Sequence, residues 1–351
     1  MKAFGIAVSE DIVANLITAV LLAGGIMGFW FSRYAIREQR WRRWIPPQRR
    51  IFPLATSEPN HWAVDHTPFQ NPVRIDERQR LVDWYSQRMQ SHPTNGQIVR
   101  LDGLDPWRFS SVNFFDFLTT NLTAFPTNWP RASWGQHWQA WWHWWSVFPL
   151  IQRVRAQIGQ PQSGSEVLLN HHLANPLAVS VLLQDVTGRW GVVARSHHVA
   201  VASGQWGTTA AGTVSPDDLV HFPEHPIAVC ARREAQEELN LILGALTWDG
   251  LVIARQKMQP IALVSGCLAR QWEEVLPLIA HARDWSFENR AFYAVPAEQI
   301  APIIRQAPLT DAAAYHLQLH QSPGLGRLRR IHLDHYCLAI PTFSHDASEA
   351  Q

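Results

Sequence analysis

Arg233-Glu234-Ala235-Gln236-Glu237-Glu238-Leu239-Asn240-Leu241 is the stretch on which the reading of this chain turns. It predicts a helix with Glu234, Glu237 and Glu238 at i, i+3 and i+4, positions that share one face. Like charges so close together repel and cost stability unless something cationic sits among them. A hard divalent ion with oxygen ligands meets that need. Mg²⁺ takes a few carboxylates and completes its shell with water and substrate phosphates. The plain alternative is a solvated, glutamate-rich helical face. Against it stands the lead-in Ala228-Val229-Cys230-Ala231-Arg232, which gives the same helix a buried side, with a turn upstream at Gly212-Thr213-Val214.

The stretch resembles the core of the Nudix box, whose pattern is G-x5-E-x7-R-E-U-x-E-E-x-G-U with U aliphatic. Arg233, Glu234, Glu237, Glu238 and Leu241 stand where that pattern asks, and Ala235 is a small apolar residue at its first U. Asn240 replaces the glycine that ends the helix. Asn is the next-best residue for a left-handed C-cap, so the geometry can survive. Gly212 lies 21 residues before Arg233, further than the pattern spaces them, so 219–226 reads as a loop insertion. Glu224 is the nearest counterpart of the family's first glutamate, shifted by one position. The resemblance implies hydrolysis of nucleoside diphosphates linked to another moiety, with Mg²⁺ or Mn²⁺ as cofactor.

Alternating strands and helices extend this reading over about 170–320. Leu177–Leu183, Trp190–Arg195, Val199–Ala202, Leu251–Ala254, Pro260–Val264 and Ala291–Val295 have the short apolar, β-branched character of strands. Helices are predicted over 227–239, 269–282, 297–305 and 310–320. The fold class is α/β: a mixed sheet flanked by helices, which is the α/β/α sandwich the resemblance implies.

The chain is 351 residues long, more than one average domain, and 46% apolar, enough for a sizeable core. Net charge is +1, so no polyanion-binding signal exists and nucleic acid is not expected as a partner. Cys230, Cys267 and Cys337 are scattered and form no C-x-x-C pair, which argues against a disulfide framework or a zinc knuckle. His332, His335 and Cys337 have ligand-type side chains, but in a strand 332 faces away from the other two. No Walker A, G-x-S-x-G or G-x-G-x-x-G fingerprint is present.

Three segments are expected: an anchor over 1–32, a basic linker and Trp-rich helical region over 33–165, and a hydrolase domain over 166–345. Ile12 to Phe31 carries no charge and is long enough, at about 1.5 Å per residue, to span a hydrocarbon layer as one transmembrane helix. Arg33, Arg37, Arg40, Arg42, Arg43, Arg49 and Arg50 follow it. The positive-inside rule then puts the N-terminus outside and the body in the cytoplasm, with the lipid bilayer as partner. Gly24 and Gly28 form a small-xxx-small pair that would let two anchors pack as a homodimer.

Residues 46–80, rich in Pro, Asn and Asp, read as an irregular lead-in. Trp134, Trp138, Trp141, Trp142 and Trp145 fall at helical spacing. Core packing, a membrane-surface helix and a base-stacking platform are the three readings of that stripe. No lysine or arginine is interleaved from 134 to 148, which counts against anionic lipid and polyanions alike.

The site is expected to work as follows. Glu237 and Glu238 hold the metal, Glu234 is a ligand or base, and Glu224 joins them. By the resemblance, Arg233 pairs with a box glutamate and fixes its rotamer without touching substrate, and a glutamate from the 284–289 loop, Glu288, is a second candidate base. Arg195 at a strand end and Trp206 in the following loop hold phosphate and base, with Gly212 at the substrate turn. The substrate is a nucleotide derivative. The rival from another class is a Nudix-fold binding module that senses such a metabolite without cleaving it. A scaffold organised by the tryptophan helix is the third reading.

Overall fold

The computed structural model describes residues 46–55, 57, 61–89, 93–124, 137–196, 199, 201–220, 225–321 and 337–338. The side chains of 88–89, 137–146 and 337 are outside that description. The expected anchor over Ile12 to Phe31 therefore lies outside the described residues. Among those described, no helix is long and apolar enough to cross a membrane. Even the 22-residue helix His137–Ile158 carries Arg153, Arg155 and an internal Pro149. The single-pass topology, the bilayer as partner and the cytoplasmic placement of the body are corrected accordingly. The dimer expectation rested on Gly24 and Gly28, which are also outside the described residues.

The strands are β1 (Ile51–Ala55), β2 (Trp62–Val64), β3 (Gln97–Leu104), β4 (Trp107–Asn113), β5 (Ala178–Gln184), β6 (Arg189–Arg195), β7 (Trp206–Thr208), β8 (Ala210–Thr213), β9 (Thr247–Ala254), β10 (Gln259–Cys267), β11 (Asn289–Pro296) and β12 (Cys337–Leu338). The helices used below are α1 (Ile75–Met89), α2 (His137–Ile158), α3 (Gly164–Leu169), α4 (Pro226–Leu239), α5 (Trp272–Ile279), α6 (Ile300–Gln306) and α7 (Asp311–Leu319).

The main sheet runs β1-β9-β10-β5-β6-β11-β12, with β8 paired to β5 and β7 to β6. Only β5 and β10 pair in parallel within it; its other described pairings are antiparallel. Side-chain alternation along β5 sorts the core into two layers. Val179, Val181 and Leu183 pack with Ile227, Cys230, Ala231 and Leu239 of α4. Leu182 faces α6 and α7, against Ile303, Ala313 and Leu317. Ala178, Ile261 and Leu263 join Ala312 on that same side. A strand buried on both faces has to be apolar nearly throughout, which is why Leu177–Leu183 reads as an apolar run broken only by Ser180.

Two expected elements differ. Val199–Ala202 is not a strand: Ala202 adopts φ 57° and Gly204 φ 68°, and left-handed backbone ends extended structure. The lead-in over 46–80 is not all irregular, because β1 pairs antiparallel with β9 from Ile51 opposite Ala254. The second sheet, β2-β4-β3, docks on the first by backbone bonds: Val99 N–H donates to Val214 (2.8 Å) and Leu177 N–H to Val99 (2.8 Å). α2 buries Val147, Leu150, Ile151, Val154 and Ile158, an i, i+3, i+4, i+7 stripe. Trp138, Trp141, Trp142 and Trp145 of the tryptophan stripe fall on the preceding turns of that helix, where side chains are outside the description, and Trp134 lies outside the described residues.

Candidate active site

α4 begins where His225 Nδ1 accepts from the Ile227 N–H at 3.2 Å and Pro226 fills the first turn. It ends on Asn240 at φ 55°, ψ 39°, the left-handed cap expected of that residue. Asn240 N–H donates to the Gln236 carbonyl (3.1 Å), the single bond of a left-handed helix cap, and Leu241 N–H donates to the Ala235 carbonyl (3.2 Å). The apolar stripe Ile227, Cys230, Ala231, Ala235 and Leu239 turns into the sheet. Glu234 and Glu238 fall on that buried side, at 9% and 1% exposure, and only Glu237 remains half-exposed. The three carboxylates thus share a face in spacing but divide between the interior and the rim.

Arg233 organises the rim. Its Nε and Nη2 donate to Asp218 Oδ1 and Oδ2, both at 3.0 Å, a bidentate pair. Nη1 donates to Glu234 Oε1 (2.7 Å) and Glu237 Oε2 (3.2 Å), and Nη2 also reaches the Thr213 carbonyl (3.1 Å). Arg283 Nη2 takes the other oxygen of Glu237 at 2.9 Å. Asp218, 2% exposed, also accepts from the backbone and hydroxyl of Ser215. Neither Asp218 nor Arg283 was singled out in the sequence. Ser215-Pro216-Asp217-Asp218 has the S-x-x-D form of a capping box, the signal that could have drawn attention to Asp218.

Glu288 reaches the same cluster from a different part of the chain. The short helical turn Trp285–Glu288 is tied to α4 by Asp284 N–H donating to the Glu237 carbonyl (3.1 Å). Its other end is tied to β6 by Ser196 N–H donating to the Glu288 carbonyl (2.7 Å). Glu288 Oε2 then accepts from Arg195 Nη2 at 3.1 Å, with Arg195 only 14% exposed. Arg195 therefore serves the carboxylates in this structure.

Burial shifts these groups. It pushes the Glu234 carboxyl up to about 7, against the opposing pull of Arg233 and with help from Glu237 and Glu288. Burial, and then Glu288, drive Glu238 well above the usual carboxylate range, while Arg195 and the Ala211 N–H oppose the shift. The Ala211 N–H lies near Glu238 without completing a hydrogen bond to it, and neither carboxylate oxygen has a hydrogen-bond partner among the described residues. Buried polar atoms are nearly always paired, so two orphaned oxygens on one side chain mark a place for a ligand.

The backbone of β8 is cut to fit. A Cβ on Gly212 would stand 1.8 Å from the Glu234 carboxyl, so only glycine lets that side chain lie where it does. Gly212 thus makes room for a carboxylate. Trp206 corrects the expectation of a base platform: it is 4% exposed, stacked on Tyr293 at 3.8 Å, and belongs to the core beneath α6 and α7. Burial of a large apolar ring outweighed the exposure expected of a loop residue. Glu224 lies outside the described residues.

No family model matches the chain, and no curated protein matches it. Solved structures similar to it include the DR0079 protein of Deinococcus radiodurans, at 17% identity and TM-score 0.31 over 41% of this chain and 81% of that one. A MutT protein of Methanosarcina mazei follows at 17% identity and TM-score 0.29, covering 41% of this chain and 91% of that one. The Nudix domain of Shewanella oneidensis NrtR, solved with ADP-ribose, is 14% identical at TM-score 0.31 over 42% of this chain and 86% of that domain. The fold is Nudix-like, and its own geometry carries that description: a carboxylate helix with a left-handed cap lies against a mixed sheet that has helices on both faces.

Proposed function

We propose that the chain hydrolyses a phosphoanhydride bond in a nucleoside diphosphate derivative. The observation that carries this reading is Glu238, buried with both oxygens unpartnered among the described residues, beside Glu234 and Glu288. An all-carboxylate donor set in a buried cradle fits a hard divalent cation, Mg²⁺ or Mn²⁺. Glu238 and Glu234 would hold it, with Glu237 at the rim. When bound, such an ion neutralises phosphate charge and makes a water more acidic.

The chain's own residues supply the rest. Arg233, anchored on Asp218, fixes the rotamers of Glu234 and Glu237. Arg195 engages Glu288 Oε2 and leaves Oε1 to take the proton of the attacking water. The burial that raises Glu234 also excludes bulk water, which strengthens each electrostatic contact with a phosphate.

The binding-module reading has one observation of its own: Arg233 and Arg283 both hold Glu237, which draws it toward a structural role. Turnover separates the two. The full chain, incubated with Mg²⁺ and a panel of nucleoside diphosphate derivatives, should release a nucleoside monophosphate product, and Glu288→Gln should lower kcat without changing KM. Tight nucleotide binding with no product from any substrate would leave the sensor.

A further inference from the structure

On the opposite face of the main sheet, Asp249, His316 and His320 converge. His316 and His320 stand at i and i+4 on α7 and its C-cap, so both rings leave the same side of the helix. Asp249 comes from β9. The β9–β10 register slips between Leu263 and Val264, and Gly250 has φ 137°, so the strand bulges there. Bulges re-aim a side chain: Trp248 packs on the α4 side, while Asp249 reaches α7. A Cβ on Gly250 would lie 3.2 Å from the Ala55 carbonyl oxygen, and its φ favours glycine in any case, so the bulge is built into the sequence.

His316 Nε2 is 2.9 Å and His320 Nε2 3.2 Å from the same oxygen, Asp249 Oδ2. Among the described residues this is the group of His, Cys, Asp and Glu side chains that brings three ligand atoms within 4.8 Å of one another. Support stands behind the ligands. Ser180 Oγ lies 3.4 Å from His316 Nδ1 and 2.9 Å from Thr208 Oγ1. The Ser265 hydroxyl also bonds Asp249, and the Trp190 ring rests 4.4 Å from that of His320. His316 is fully buried, while the His320 side chain is 21% exposed and opens the cluster to solvent.

An ordinary hydrogen-bonded network would have two imidazole N–H groups donating to one carboxylate oxygen. A cation would replace both protons. Zn²⁺ binds imidazole nitrogen and carboxylate oxygen at about 2.0–2.2 Å, which sets neighbouring donors of a tetrahedral ion about 3.3 Å apart. The two observed separations, 2.9 and 3.2 Å, are already close to that edge. We propose that Asp249, His316 and His320 bind one divalent transition ion of the zinc class, with water in the remaining position, stapling the end of α7 to β9. Imidazole donors set it apart from the glutamate cluster, whose oxygens suit harder ions.

The full chain, stripped with a chelator and kept in excess Mg²⁺ to occupy the carboxylates, is titrated with Zn²⁺ by calorimetry beside His320→Gln and Asp249→Asn. The wild type should bind one equivalent that both variants lose or hold at least tenfold more weakly, and Zn²⁺ should raise the wild-type Tm alone. Co²⁺ should give the visible absorption of a tetrahedral site in the wild type only. Circular dichroism checks that the variants fold. Equal Zn²⁺ stoichiometry and affinity in all three proteins, or no Zn²⁺ bound at micromolar concentration, would overturn the proposal.

Discussion

The two faces of the main sheet bury polar groups in opposite ways. Under α4, Glu238 sits almost fully buried with neither oxygen hydrogen-bonded among the described residues, and Glu234 is shielded beside it. Under α7, Asp249 is paired by His316, His320 and Ser265. A buried, unpaired carboxylate is costly and tends to protonate instead of ionising. A buried carboxylate with close donors can persist on its own. The first face is thus incomplete without a charge from outside, and the second is stable without one yet able to exchange two protons for an ion. One sheet separates an oxygen site suited to Mg²⁺ from a nitrogen-rich site suited to Zn²⁺.

The largest effect should come from Glu238→Gln. It should reduce turnover by at least about a hundredfold, as loss of an ion's ligand does, while leaving the fold intact. In chelator at pH 7 the variant should melt higher than wild type, because a neutral amide no longer has to bury charge. A lower melting temperature would mean that Glu238 is already satisfied, and the contrast between the faces would vanish. Arg233→Ala comes next. It leaves the buried Asp218 without its cationic partner, held only by Ser215, at a cost of about 3–5 kcal/mol, and should also lower activity. Denaturant unfolding measures the first and product release the second. Asp218→Asn should share both defects, since it breaks the same bidentate pair.

Smaller is the pH dependence of the metal-free protein. The Glu234 carboxyl titrates near 4.5 when unfolded and near 7 when folded. Between those values the unfolded chain gives up its proton first, so rising pH favours unfolding. Stability relative to Glu234→Gln should therefore fall from about pH 4.5 to about pH 7 in chelator and level off above it. Mg²⁺ should flatten the curve. A difference that grows with pH would contradict the assignment. Trp206→Phe should do least: KM unmoved, and a stability cost below the about 3–5 kcal/mol of truncating a buried aromatic to Ala. A raised KM would return Trp206 to the binding surface.

The carboxylate helix was legible because its information is local. Spacing predicts the face, and Asn240 is one of the few residues at ease at φ 55°. The central strands were legible for a similar reason, since burial on both faces demands an apolar run. Spacing alone could not tell which carboxylates point inward; that follows from where Ile227, Cys230 and Ala231 press α4 against β5 and β8. Asp218 and Arg283 escaped notice because charged loop residues are common, and only tertiary folding brings them to Arg233 and Glu237. The Asp249 cluster had half a signal, His316-x-x-x-His320, and its third member joins across 67 residues. β1 escaped because its pairing with β9, Ile51 opposite Ala254, is more distant still in sequence. The membrane reading rested on the uncharged run 12–31 and the arginines that follow it, and no described helix supplies a span.

The central claim is that buried glutamates on α4 serve phosphoanhydride hydrolysis. The most direct measurement follows product formation by phosphorus NMR for the full chain and Glu238→Gln, with millimolar Mg²⁺, in oxygen-18 water, across a panel of nucleoside diphosphate derivatives. Wild-type protein should cleave at least one of them, with one labelled oxygen in one phosphate product, and the variant should be slower by at least about a hundredfold. Equal rates in the two proteins, or no labelled product from any substrate while both still bind nucleotide, would contradict it.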